Sequence, residues 1–160
     1  RFFFEVLDAV GEVMPFDRVG FRLNPMLNRF HGLHVDLDTV PMWESIVRRA
    51  NDYGLAFLHL TEPLSPKQIE DTPGALSDVG AHFRPIARMP IISNGGLDQA
   101  KGEARLAANL CDAVAYGQAW IANPDLVERF QHGAPLNTPD RDTFYQGGAH
   151  GYLDYPTLGA

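Results

Sequence analysis

Cysteine is almost absent from this chain. Cys111 is the only one in 160 residues, which excludes an intrachain disulfide and points to a reducing, cytoplasmic setting. Positive charge is also short: thirteen Lys plus Arg face twenty Asp plus Glu, a net charge of −7. That sign excludes a nucleic-acid or anionic-membrane surface as the partner. No apolar run approaches the roughly 20 residues that a bilayer span needs. Low-complexity stretches and short-period repeats are missing too. The opening Arg1-Phe2-Phe3-Phe4-Glu5-Val6 has no starting Met and no signal-peptide pattern, and reads as the middle of a helix. The expectation is therefore a fragment of a longer domain. What is present is a 45% hydrophobic composition, enough for a core.

Helix and strand patterns alternate along the chain. Phe3, Val6, Leu7, Val10 and Val13 recur at helical spacing, and Arg18 to Asn24 then reads as a strand stopped by Pro25. Val40, Trp43, Ile46, Val47 and Ala50 form a second helical stripe, which Gly54 closes as a C-cap. Leu55 to Thr61 is the next strand. A Pro-rich loop carrying Pro63, Pro66, Pro73 and Gly74 leads to a helix predicted from Ser77 to Ala87. Pro90 to Ser93 and Asp112 to Tyr116 are the third and fourth strands, separated by a helix that Asp98 caps and that runs to about Asn109. Asn123 as N-cap, with Pro124 behind it, predicts a last helix ended by Gly133. The tail, 134–160, reads as a packed irregular segment.

Ser93-Asn94-Gly95-Gly96 and Ala115-Tyr116-Gly117 are two strand ends that run into glycine and are followed by helix starts. Such ends expose backbone N–H groups beside positive helix termini, which suits a phosphate. Strands separated by helices argue for a parallel sheet with helices outside it. Four units are half of the eight-stranded barrel, whose usual phosphate site follows its last two strands, whereas a doubly wound sheet carries its Gly-rich loop after the first. The expected fold is thus α/β, the C-terminal half of a TIM (β/α)8 barrel over residues 1–160.

Several motifs, kept in order over essentially the whole chain, carry a family resemblance. They are Arg18-Val19-Gly20-Phe21-Arg22-Leu23-Asn24-Pro25, Leu58-His59-Leu60-Thr61-Glu62-Pro63, Ser93 to Gly96, and Ile121 to Arg129. The tail adds Pro135-Leu136-Asn137, Asp140 to Tyr145, Gly148 to Tyr152 and Asp154 to Thr157. Together they resemble the Old Yellow Enzyme family. The resemblance implies an FMN-dependent barrel that reduces activated alkenes, such as enones or nitroalkenes, with NADH or NADPH. It implies strands five to eight here, with strands one to four absent. The absent half includes the His–His or His–Asn pair that holds the substrate's electron-withdrawing group and the Tyr that supplies a proton. No catalytic residue is assigned in this chain, and the isolated half is expected to be inactive.

The cofactor side remains. Arg22 lies near the end of an otherwise apolar strand, where a buried guanidinium needs an anionic or carbonyl partner. The resemblance implies that it faces N1 and O2 of the flavin; the alternative is a salt bridge to Glu62. Asn94, Gly95, Gly96, Gly117 and Gln118 are the expected phosphate contacts, although Asn-Gly is also a common turn signal. The family usually has Arg at position 118. Replacing a charge-assisted contact by a neutral one loses on the order of 1 kcal/mol or more, and Arg84 and Arg88 are candidate compensating cations. The resemblance puts Phe144 against the flavin and Tyr145 over the substrate, with tail packing as the plainer reading, and Leu64 to Gly74 beside the substrate.

Other residues take plainer readings. His31 and His34 lack further ligands at matching spacing, so no metal site is expected. His59 reads as a satisfied core residue, Glu103 and Arg105 as a solvated helix face, Asp140-Arg141-Asp142 as a local turn and ion-pair cluster, and Cys111 as remote from the site. A phosphosugar isomerase or aldolase barrel would place a lysine or an acid–base group at a strand end, yet Lys67 and Lys101 fall on no predicted strand. A non-catalytic half-barrel, binding a phosphorylated ligand or a companion half-chain across its open strand edges, is the second function class.

Overall fold

The computed structural model describes every residue except 29–31, 66, 68, 71, 147 and 160. The chain divides into two compact units, Arg1–Ala115 and Tyr116–Ala160. The first holds four parallel strands, β1 (Gly20–Leu23), β2 (Phe57–Thr61), β3 (Ile91–Asn94) and β4 (Ala113–Ala115), paired in sequence order. Helices α1 (Phe2–Gly11), α2 (Thr39–Ala50), α3 (Val79–Phe83) and α4 (Gln99–Ala107) alternate with them. Sequential order without reversal is the barrel arrangement; a doubly wound sheet reverses its order partway.

Strand parity explains which residues reach the core. Leu23, Leu58, Leu60, Ile91 and Ser93 share one face of the sheet and are buried. The apolar members pack with Phe4 and Leu7 of α1, Val47 and Ala50 of α2, and Val79 and Phe83 of α3. Arg22, His59, Thr61, Ile92 and Asn94 alternate with them, and this opposite face is only half-buried or exposed. In a closed barrel such a face looks inward, across to strands this chain does not carry.

Local signals did their expected work at most boundaries. Asp98 caps α4 by accepting from Lys101 N–H at 2.8 Å. Gly54 (φ +67) ends the Asn51–Tyr53 turn after α2, where a left-handed residue is needed. Several boundaries differ from expectation, β2 starting at Phe57 and β4 spanning only Ala113–Ala115. The helix predicted from Ser77 to Ala87 forms only over Val79–Phe83: Asp78 rather than Ser77 supplies the cap, accepting from Ala81 N–H, and Pro85, which has no N–H to donate, turns the chain after Phe83. β1 starts at Gly20, since Phe16–Arg18 is spent on a 3-10 turn.

The second unit comprises α5 (Gln118–Ala122), α6 (Leu126–His132), a 3-10 turn at Arg141–Thr143 and the tail. Asn123 is not the N-cap of α6. It is fully buried and fastens the tail instead: its Nδ2 donates to Ala119 O and its Oδ1 accepts from Asn137 N–H, both at 2.7 Å. Arg129, also buried, bonds Asp125 and donates to the carbonyls of Pro135 and Pro156. The tail is therefore tied down by a polar scaffold. No helix among the described residues is long and apolar enough to cross a membrane.

Candidate functional site

In the first unit the C-terminal ends of β1, β2 and β3 converge on Arg22. Its Nη2 donates to Thr61 Oγ1 at 2.8 Å and to Asn94 Oδ1 at 3.1 Å, and its Nε donates to Asn24 Oδ1 at 3.2 Å. Thr61 Oγ1 in turn donates to Asn24 Oδ1, and Asn94 Nδ2 donates to Ala115 O, so the acceptors are themselves fixed. Every partner is neutral. The side chain is exposed and not buried as the sequence suggested, because its sheet face is open; its charge is uncompensated, since no ion pair to the guanidinium occurs among the described residues. The salt bridge to Glu62 weighed from the sequence does not form, because Glu62 is engaged elsewhere, by Arg105 at 2.6 Å.

The turn after β3 has a backbone reserved for glycine. Gly95 adopts φ +110, and a Cβ there would lie 2.8 Å from the Glu62 carbonyl oxygen. Gly96, at φ +62, has open space around its missing Cβ, the nearest atom lying 3.8 Å away. Asn94 to Gly96 is thus a rigid turn with an unobstructed side, adjoining the Arg22 cation.

Beside Arg22, as its register partner on β2, lies His59, and here the expectation of a satisfied core residue fails. Its Nε2 is buried without a hydrogen-bond partner. Burial, reinforced by the Arg22 charge, holds its pKa below the usual histidine value. The expected solvated face at Arg105 is also corrected. Its side chain is 13% exposed and bridges Glu62 and Asp78, while Glu103 on the same helix is exposed. Residue spacing within one helix could not disclose a partner 43 residues away.

Arg84 and Arg88 do not serve as compensating cations near the glycine turn. Arg84 pairs with Asp112 and Asn109 at the start of β4, and Arg88 sits just before β3, so both lie at the opposite strand ends. Cys111 is buried just ahead of β4, again remote from the turn, and burial raises its thiol pKa. His34 joins no metal-binding cluster among the described residues; His31 lies outside them. Part of the loop from Leu64 to Gly74 is tied to the chain after β1: Asn28 Nδ2 donates to Thr72 Oγ1 at 3.0 Å.

In the second unit Gly117 precedes α5 at φ −95, with nothing within 4 Å of where a Cβ would stand. Gln118 accepts at Oε1 from Arg141 Nη2 at 3.3 Å. Among the described residues Arg141 makes no ion pair with its flanking aspartates; Asp140 accepts from Asp142 N–H and closes the turn. Phe144 is half-buried and meets Tyr145 edge-on, ring centroids 6.4 Å apart, while Tyr145 is 96% exposed. The sequence reading missed Asn24, Thr61 and Arg141. Thr61 was findable, because it shares strand parity with His59, the register partner of Arg22.

A sequentially ordered parallel sheet, helix-covered on one face and bearing polar groups at its C-terminal strand ends, is the arrangement of part of a TIM barrel. The chain belongs to the NADH:flavin oxidoreductase / NADH oxidase family, which its residues 1–137 match. It is 36% identical over 159 residues to 12-oxophytodienoate reductase 2 of Arabidopsis thaliana, covering 99% of this chain and 41% of that protein. A putative 12-oxophytodienoate reductase 4 of Oryza sativa subsp. japonica is 37% identical, with 99% and 41% covered. Among solved structures, morphinone reductase superposes with a TM-score of 0.86 at 42% identity, covering 99% of this chain and 41% of that one. The old yellow enzyme from Trypanosoma cruzi gives 0.83 at 34% identity, covering 97% and 39%. The chain thus spans about 40% of the length of these relatives. The Old Yellow Enzyme resemblance and the partial-barrel fold are both shown.

Proposed function

We propose that the protein carrying this chain is an FMN-dependent ene-reductase, and that these residues form the C-terminal half of one FMN-binding barrel domain. The observation that carries the reading is the uncompensated Arg22 guanidinium, fixed by three neutral side-chain acceptors at the strand ends of a flavin-oxidoreductase family member. A cation so placed suits an electron-rich ligand edge, and a glycine turn with an open side suits close backbone approach. These residues fit a flavin mononucleotide.

Bound FMN supplies hydride transfer from NADH or NADPH to the β-carbon of an activated alkene such as an enone or nitroalkene. Arg22 orients the flavin edge and favours its more negative, reduced form. Asn94, Gly95 and Gly96 would offer backbone contacts to the cofactor, and Gly117 and Gln118 are assigned to it on the family resemblance. Arg141, bonded to Gln118, adds the positive charge that glutamine lacks. Phe144 is assigned to the cofactor and Tyr145 to the substrate on the family resemblance. Two relatives support the ligand classes: a morphinone reductase structure is a complex with tetrahydroNAD, and the old yellow enzyme of T. cruzi has been solved with pHBA.

The open sheet face favours a companion. Arg22, His59, Thr61 and Ile92 sit on a face that this unit leaves uncovered, and the orphaned His59 nitrogen lies there. The remaining four strands, in the same chain or another, are the proposed cover, and the isolated half is expected to be inactive. The test is anaerobic. NADPH should bleach the flavin of the complete protein, and 2-cyclohexenone or a nitroalkene should restore its colour. Bleaching that no activated alkene reverses would refute the reductase assignment.

A further inference from the structure

Two arginines grip the same two strand ends from opposite faces of the sheet. Arg22 holds Thr61 and Asn94, the register partners that end β2 and β3, on the open face. The residues adjoining them, Glu62 and Ser93, point to the covered face, and both are held by Arg105 of α4. Its Nη2 donates to Glu62 Oε1 at 2.6 Å and its Nε donates to Ser93 Oγ at 3.1 Å. Asp78 completes the fork, taking Nη2 at 2.8 Å and Nη1 at 3.2 Å.

The cluster is fully built. Glu62 is 6% exposed, and its carboxylate also accepts from Val79 N–H at 2.7 Å, Gly80 N–H at 2.9 Å and Ser93 Oγ at 3.2 Å. Gly80 leaves the room: a Cβ there would stand 2.3 Å from Arg105 Nη2. The backbone of Glu62 then reaches the glycine turn directly, its N–H donating to Asn94 O at 2.7 Å and its carbonyl facing Gly95. A displacement of Glu62 or Ser93 is thereby passed to Thr61 and Asn94, the two groups that aim Arg22.

We propose that Arg105 is a positioning residue: through Glu62 and Ser93 it fixes the Asn94–Gly96 turn and the aim of Arg22. The inference rests on the flavin-site reading above, and its chemistry is that of an outer-shell partner orienting a ligand-contacting group. Arg105 itself touches no ligand.

The test is a double-mutant cycle on FMN affinity and flavin reduction potential in the complete protein. Arg105→Lys keeps the charge and loses the fork, so the variant has the best chance of folding; Glu62→Gln keeps the shape and loses the charge. Each should weaken FMN about tenfold, which is about 1.4 kcal/mol, and lower the reduction potential. In an Arg22→Gln background the same substitutions should weaken FMN less than about threefold, because the group they aim is gone. Equal losses in both backgrounds, or a lowered melting temperature with unchanged affinity and potential, would overturn the proposal. Hydrogen exchange in cofactor-free protein supplies a second readout. Arg105→Lys should speed exchange at residues 93–97 and leave α1 unchanged; an unchanged rate at 93–97 overturns the proposal. A protein that binds no FMN at all would instead defeat the ene-reductase reading, and the exchange data would still decide the role of Arg105.

Discussion

Gly95→Ala is the substitution that the geometry condemns most clearly. The new Cβ would meet the carbonyl oxygen of Glu62 at 2.8 Å and its nitrogen at 3.1 Å. Both are backbone atoms, and the Glu62 N–H is bonded to Asn94 O at 2.7 Å, so neither yields without opening the β2–β3 junction. Holding alanine at φ +110 costs about 1–3 kcal/mol. Losing one buried backbone hydrogen bond adds about 1 kcal/mol, for a sum of about 2–4 kcal/mol. Equilibrium urea unfolding of the complete protein reads this directly: with a slope of about 2–3 kcal/mol per molar, the midpoint should fall by about 1 M. Gly117→Ala is the control. That glycine has φ −95 and no neighbour within 4 Å of the added atom, so the change in stability should stay within about 0.5 kcal/mol. A Gly95→Ala midpoint that stayed on the parent curve would refute the claim that this turn is sterically locked.

Four further outcomes are expected. Arg22→Ala should lower both FMN affinity and the flavin's reduction potential, measured by equilibrium dye reduction, because an uncompensated charge is removed from the strand ends. Gln118→Arg puts a charge-assisted contact beside Arg141, which already supplies a cation, so FMN should tighten by at most about tenfold in a fluorescence titration; weaker binding would place the phosphate elsewhere. Leu58→Ala removes a fully buried side chain from the covered face and should cost about 2–5 kcal/mol in urea unfolding. Asp112 carries an acid-dependent share of stability. Bonds from Arg84, then from Ile91 N–H, hold its carboxyl below the ordinary aspartate value. The folded state therefore binds this proton less readily than the unfolded one, and the stability it confers is complete above about pH 4 and lost as pH falls through the depressed value. Asp112→Asn should lose less stability between about pH 5 and pH 2 than the parent, and parallel acid limbs would contradict the assignment.

The sheet was legible because its signals are local. Apolar strand interiors, the Asp98 cap and the glycines at 54 and 133 each act within a few residues, and the sequential strand order followed from their regular alternation with helices. The site was legible in outline: Arg22 and the Asn94–Gly96 turn do meet, since register and parity place both at strand ends of one face. What failed depends on distant partners. Arg105 looks solvated on its own helix, and only the fold brings Glu62 and Asp78 to it. Asn123 has the side chain of an N-cap, yet the tail competes for that side chain and wins. His59 reads as ordinary core until its nitrogen is seen to lack a partner on the face that this chain leaves open.

The central claim is that these residues hold a flavin mononucleotide, and a titration of the complete, cofactor-stripped protein with FMN tests it most directly. Saturable binding at one FMN per barrel, weakened at least about tenfold by Arg22→Ala (about 1.4 kcal/mol), is the predicted result. Folded protein that leaves FMN fluorescence unchanged, or binding indifferent to Arg22→Ala, would contradict it.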